Sequence, residues 1–220
     1  MGPLLRDVVL TAVFLALVRA SAAAQGLPES EPGRFDFYVL SLSWSPSFCE
    51  ASARSDQSGQ CGPRPYAFVV HGLWPQFESG FPEFCQVPAP RLDRNIVASM
   101  LDVMPAPKLV YHEWDRHGTC SGMTARAYFD TVRKAFATVK IPPEYVDLKQ
   151  ELVVTPEEVT ASFAKANPDL EPGALTIECD ARRLREIRIC LNKDLHFRAC
   201  PATNRKGCRR DTILMPPVRG

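Results

Sequence analysis

The chain has 220 residues, 45% of them apolar, with 26 basic against 25 acidic side chains. That length and apolar content suit one domain with a sizeable core, and the near-zero charge excludes a protein that grips nucleic acid by bulk charge alone. Any polyanionic substrate has to be met by a local group of cations.

Taken in chain order, the first segment reads as a secretory leader. Residues 1–6 bring a positive charge at Arg6, and residues 8–18 are an apolar run too short to be kept as a membrane span. Ala22, Ala23 and Ala24 supply small residues for cleavage before Gln25. A leader at 1–24 leaves a domain of residues 25–220; with Arg6, Arg19 and Asp7 gone it has 24 basic and 24 acidic side chains. No later stretch is long and apolar enough for a membrane helix. The expected product is therefore a soluble monomer, secreted or periplasmic. All eight cysteines (Cys49, Cys61, Cys85, Cys120, Cys179, Cys190, Cys200 and Cys208) lie beyond the leader, and an even count in an exported chain implies disulfides. Four bridges allow on the order of a hundred pairings, and spacing does not choose among them. A zinc cluster is the rival reading, disfavoured because no C-x-x-C pair occurs.

Residues 25–34 form a polar arm with Pro and Gly. Residues 35–43 (FDFYVLSLS) alternate as a strand does, and Pro46 ends it. Residues 51–65, rich in Ser, Gly, Gln and Pro, read as a loop. Residues 66–73 (YAFVVHGL) read as a buried strand closed by Pro75, and residues 77–91 as a long loop with Pro82, Pro88 and Pro90. Helices are predicted over 95–104, stopped by Pro105, over 109–120, loosening near Gly118, and over 125–139, with Tyr128, Phe129, Val132 and Phe136 on one side. Thr155, Pro156, Glu157 and Glu158 mark a capped helix start, and that helix ends near Asn167 and Pro168. Short strands follow at 175–179, 184–190 and 195–197. There are no repeats. The fold class expected is α+β, a single domain with a central antiparallel sheet flanked by helices.

The chemistry gathers around the four histidines. His71 follows the buried strand, His112 and His117 share the segment HEWDRHGTC, and His196 stands alone as a surface residue. On a helix turning about 100° per residue from His112 at zero, Arg116 falls near 40°, Glu113 near 100° and His117 near 140°. Trp114 and Asp115 fall away from that arc and read as structural. Two imidazoles, a carboxylate and a guanidinium on one face form an unfavourable arrangement for a plain core. Zincins need His residues four apart with Glu between, and here they are five apart. A three-His zinc hydrolase using His71, His112 and His117 stays as the alternative, with Arg116 opposing a dication.

Metal-free phosphoryl transfer on RNA uses the inventory without a cofactor. RNA brings its own nucleophile, the ribose 2′-hydroxyl beside each phosphodiester. Two imidazoles suit the two proton transfers, and a third imidazole with a guanidinium suits the anion.

These segments resemble the two active-site signatures of the ribonuclease T2 family. His71-Gly72-Leu73-Trp74-Pro75 is similar to the first. His112-Glu113-Trp114 followed by His117-Gly118-Thr119-Cys120 is similar to the second. The opening segment through Ser43-Trp44-Ser45-Pro46-Ser47-Phe48-Cys49 looks like the bacterial branch. The resemblance covers most of residues 25–220 and is strongest before Ala125. It implies an endoribonuclease of broad specificity acting on single-stranded RNA, with no cofactor and no metal. His117 would be the general base on the 2′-hydroxyl and His71 the general acid on the leaving oxygen. His112 would hold the phosphate, Glu113 and Arg116 would stabilise the pentacoordinate transition state, and Trp74 would stack on a base. A 2′,3′-cyclic phosphate would form and open to a 3′-phosphate.

Two positions depart from the family pattern: Arg116 stands where Lys is usual, and Gln76 where many members read the first base with Asp. The resemblance also implies a Cys85–Cys120 bridge, with Cys49–Cys61 as the local one. For the tail, Cys179–Cys208 around Cys190–Cys200 is the proposed arrangement. Arg205, Lys206, Arg209 and Arg210 form a basic cluster that reads as a solvated face. A secreted RNA-binding protein without activity is the reading outside enzymology; the retained catalytic positions speak against it.

Overall fold

A computed structural model describes residues 30–51, 59–201 and 207–218. The leader expected at 1–24 therefore lies outside the described residues, as do Arg205 and Lys206 of the basic cluster. Strand β1 (Phe37–Trp44) is the centre of the fold, and it is buried along nearly its whole length. It lies between β2 (Phe68–Gln76) and β5 (Leu184–Leu191), and β4 (Leu175–Cys179) completes an antiparallel sheet of order β2-β1-β5-β4. The expected α+β architecture is thus the one formed. Tyr38, Leu40, Leu42 and Trp44 point to the main core, while Phe37 and Val39 join a small second cluster with Cys190 and Cys200. This is the period-2 alternation of a strand with two covered faces.

Helices close the main core. Those meeting the sheet include α3 (Pro107–Arg116), α4 (Ala125–Thr138) and α6 (Pro156–Ala166), and α2 (Arg94–Met100) packs on α3 and α4. Tyr128, Phe129 and Val132 of α4 and Val159 and Phe163 of α6 are buried there, each large apolar side chain contributing about 1.5–3 kcal/mol. The start of α6 is a capping box, with Thr155 and Glu158 satisfying one another's backbone donors. The four bridges are Cys49–Cys61, Cys85–Cys120, Cys179–Cys208 and Cys190–Cys200, the pairs expected from the sequence, of which the resemblance implied Cys85–Cys120. Among the described residues, no helix is long and apolar enough to cross a membrane.

The structure corrects several element boundaries. The segment at Pro46 turns directly into α1 (Ser45–Ala51), because a proline is tolerated in a first helical turn where its N–H is not needed. Strand β2 continues through Pro75 to Gln76; as an edge strand it can hold a residue that donates nothing. Helix α2 stops at Met100, four residues before the expected end, and Val103 instead accepts a hydrogen bond from the Val70 backbone at 2.8 Å. Helix α3 ends at Arg116, and residues Gly118–Ser121 continue as a 3₁₀ turn. Leu195 to Phe197 is no strand, only one bridge from Leu191 to Phe197. Unforeseen were α5 (Pro143–Val146) and the two-stranded sheet of β3 (Leu152–Val154) and β6 (Ile213–Met215), elements too short to leave a periodic signal.

Candidate active site

One face of the four-stranded sheet carries polar residues where a core would carry apolar ones. Across the strands, Trp74 pairs with Val39 and Val39 with Cys190; Gly72 pairs with Ser41 and Ser41 with Arg188; Ser43 pairs with Glu186. The β1–β2 register shifts between Ser41 and Leu42, whose partners are Gly72 and Val70. His71 is the extra residue of that bulge. A bulge bends the strand and re-aims a side chain, so His71 can share a face with Trp74 while Val70 and Leu73 stay in the core.

Helix α3 packs against β2 and brings the second segment to this face at Gly72. Gly72 provides the room: a Cβ built there would collide with the Glu113 carboxylate and the Trp74 indole nitrogen. In the space left open, the Trp74 indole N–H donates to Glu113 Oε2 at 2.7 Å, and Glu113 Oε1 lies 3.7 Å from His71 Nε2. Glu113 is almost fully buried. Burial pushes its carboxyl up to about 7, against the lowering effects of the His71 charge and the Trp74 hydrogen bond.

The two outer histidines sit in opposite electrostatic settings. His71 donates from Nδ1 to Glu186 Oε1 at 2.5 Å. Burial would lower its pKa, but the Glu186 hydrogen bond and the charges of Glu186 and Glu113 outweigh that and raise it. His117 caps the end of α3, with its backbone N–H on the Glu113 carbonyl at 3.0 Å. It is 7% exposed, and its Nδ1 has no hydrogen-bond partner among the described residues. Burial, then the charges of Arg116, His112 and His71, hold it down to about 3. Trp74 stands between them, its ring 5.3 Å from His71 and 5.4 Å from His117, with the Arg188 guanidinium 5.3 Å from its centroid.

His71, Trp74, Gln76, His112, Glu113, Arg116 and His117 all line one cavity of about 490 Å³. The expected site residues therefore converge, although α3 ends one residue before His117. His112 is exposed, and it and His71 also line a second, larger cavity of about 920 Å³ toward Lys108 and Arg185. Arg116 pairs with Glu83, its Nε and Nη2 each 2.8 Å from Glu83 Oε2. Gln76 is buried, its amide donating to the Pro75 carbonyl at 3.0 Å. Trp114 is structural, as read: it packs on Tyr128 and Phe129 and donates to the Pro90 carbonyl at 2.7 Å. His196 is exposed.

Four charged residues went unread in the sequence: Glu83, Glu178, Glu186 and Arg188. Glu186 accepts from Ser41, Ser43, His71 and Arg188, and these bonds with the neighbouring charges outweigh burial and bring it down to about 2. Arg188 also reaches Glu178 at 3.3 Å. The alternation Glu186-Ile187-Arg188-Ile189 marks a strand with one polar face, but not what that face meets. All eight cysteines are disulfide-bonded, and among the described residues no group of three His, Cys, Asp or Glu is arranged to hold a metal ion.

Residues 35–200 match the model of the Ribonuclease T2 family. A probable ribonuclease of Haemophilus influenzae is 33% identical over 178 residues, covering 75% of this chain and 61% of that protein. A ribonuclease of Aeromonas hydrophila is 32% identical over 178 residues, 79% of each chain. Among solved structures, an RNase-related protein from Calystegia sepium superposes with a TM-score of 0.68 at 19% identity, over 83% of this chain and 97% of its own.

Proposed function

This chain belongs to the ribonuclease T2 family of endoribonucleases, and we propose that it cleaves single-stranded RNA by metal-independent transphosphorylation, outside the cytoplasm. The observation that carries the reading is two histidines on one cavity in opposed settings: His117 is buried with no hydrogen-bond partner for Nδ1 among the described residues, which favours its neutral ring, and His71 is hydrogen-bonded to the Glu186 carboxylate, which favours its charged one. A neutral imidazole can take the 2′-hydroxyl proton as the 2′-oxygen attacks phosphorus. A charged one can give a proton to the 5′-oxygen as the P–O5′ bond breaks. The products are a 2′,3′-cyclic phosphate and a 5′-hydroxyl, and water opens the ring to a 3′-phosphate with the roles exchanged. A base with a pKa near 3 is weak; the incoming phosphodiester supplies the negative charge that strengthens it.

His112 and Arg116 are placed to hold the phosphate, and Glu113, whose carboxyl burial pushes up to about 7, is suited to hydrogen-bond a phosphoryl oxygen in its protonated form. The two cavities flanking His71 give the strand room on both sides of the scissile bond, with Trp74 on one side for a base. Gln76 is the candidate reader of that base, and its amide both donates and accepts. Four disulfides fit an oxidising compartment, in keeping with a secreted or periplasmic location.

The test is digestion of single-stranded RNA in EDTA with mass spectrometry of the ends. Cyclic phosphate termini are expected, and DNA, which lacks the 2′-hydroxyl, should resist. His71→Phe and His117→Phe should each lose roughly 10²–10⁴-fold in rate. Cleavage abolished by chelator, or a fully active variant of either kind, refutes the reading.

A further inference from the structure

His71 is held from behind by a carboxylate that lies 115 residues away in the chain. Glu186 Oε1 takes the Nδ1 proton of His71 at 2.5 Å and the Ser43 hydroxyl at 3.3 Å. Its other oxygen takes the Ser41 hydroxyl at 3.0 Å and the Arg188 guanidinium at 3.3 Å. Four donors from three strands fix the carboxylate at both oxygens, so its position is set before the imidazole meets it. A carboxylate can only accept, so the nitrogen facing it must carry a proton. Nε2 is left facing Glu113 and the cavity.

We propose that Glu186 is a positioning residue for the reaction, holding His71 in the tautomer and orientation that present Nε2 to the leaving oxygen. The proposal rests on the acid role assigned to His71 above. In the charged ring both nitrogens are protonated; after Nε2 gives its proton to the 5′-oxygen, the neutral ring keeps its Nδ1 proton, which stays hydrogen-bonded to Glu186. Nε2 is then bare and able to accept a proton from water in the ring-opening step. Without Glu186, the two neutral tautomers compete, and only the one with Nε2 bare supports that return. The groups that face His71 are Glu186 and Arg188 from β5 and Glu113, His112 and His117 from α3 and its end. Lys108 and Arg185 share its second cavity. The carboxylates favour the charged ring and the cations oppose it; Glu186 is the one in direct hydrogen bond.

Glu186→Gln is the informative change. The donors on Oε2 hold the amide oxygen there, which turns the amide nitrogen toward His71 and makes Nδ1 an acceptor. The folded wild type, Glu186→Gln and Glu186→Asp are compared on two substrates. One is a dinucleoside monophosphate, whose 5′-oxygen needs a proton to leave. The other is a ribonucleoside 3′-(4-nitrophenyl phosphate), whose nitrophenolate leaves without one. Glu186→Gln should lower kcat on the dinucleotide roughly 10- to 100-fold with KM within about 2-fold, and leave the nitrophenyl ester within about 3-fold. The alkaline limb of its pH–rate profile should move to lower pH, and Glu186→Asp should recover part of the rate. Nitrogen-15 spectra should show neutral His71 protonated at Nδ1 in the wild type and at Nε2 in Glu186→Gln. Equal losses on both substrates, no loss on either, or a wild-type ring protonated at Nε2 would overturn the proposal. A wild type that cleaves neither substrate overturns the functional reading itself, a separate result from any of these.

Discussion

Replacing Gly72 by alanine adds one carbon at the point where the Glu113 side chain of α3 packs against β2. The Gly72 backbone does not lie in the left-handed region, so alanine is conformationally allowed and only space decides the outcome. The new Cβ would stand 2.7 Å from Glu113 Cδ and closer still to Oε2 and the Trp74 indole nitrogen. The Trp74–Glu113 hydrogen bond, 2.7 Å long with an almost fully buried carboxylate, cannot survive there. A hydrogen bond to a charged group contributes about 1.5–3 kcal/mol. At about 1.4 kcal/mol per tenfold, kcat/KM should fall roughly 10- to 150-fold in Gly72→Ala. The sign of the accompanying pH effect is fixed as well. That bond lowers the Glu113 pKa, so its loss must raise the carboxyl further and move any activity limb governed by Glu113 upward in pH. The assay is dinucleotide cleavage across pH, with circular dichroism melts as the control for folding. Wild-type kcat/KM in a folded Gly72→Ala protein would refute the idea that the missing side chain makes room for the carboxylate.

Glu83→Gln should release Arg116 from a pair whose side chains are 37% and 41% exposed. Such a pair contributes only about 0.2–1 kcal/mol, so kcat/KM at low salt should rise by up to about 5-fold while Tm falls by no more than about 2–4 °C; a fall in kcat/KM would mean that Glu83 orients Arg116 for the substrate. Stability against acid provides another check, measured as Tm against pH for the wild type and His117→Asn. A histidine held neutral to about 3 in the fold but ordinary at 6.5 when unfolded leaves the unfolded state binding more protons between those values. Stability associated with His117 is therefore lost as pH falls from 6.5 toward 3, and His117→Asn should flatten the Tm profile there. An unchanged slope would contradict burial as the cause.

The sequence by itself determined the chemical inventory and much of the framework. Two histidine segments and eight cysteines were legible because they are short and locally patterned, and the resemblance supplied the histidines' roles and the Cys85–Cys120 bridge. Strands β1, β4 and β5 and helices α4 and α6 were legible because their apolar periodicity and caps act over a few residues. Tertiary structure alone decided what surrounds each imidazole. The bulge that turns His71 onto the site face depends on register between β1 and β2, and register is a property of two strands. Glu186 and Arg188 reach the site because β5 lies beside β1, not because of anything near His71 in the chain. Glu113 is buried where α3 packs against β2 at Gly72, a contact between segments some forty residues apart. Protonation follows from burial and from charges brought together through space. For that reason, which histidine is held neutral and which is held charged became readable only in the fold.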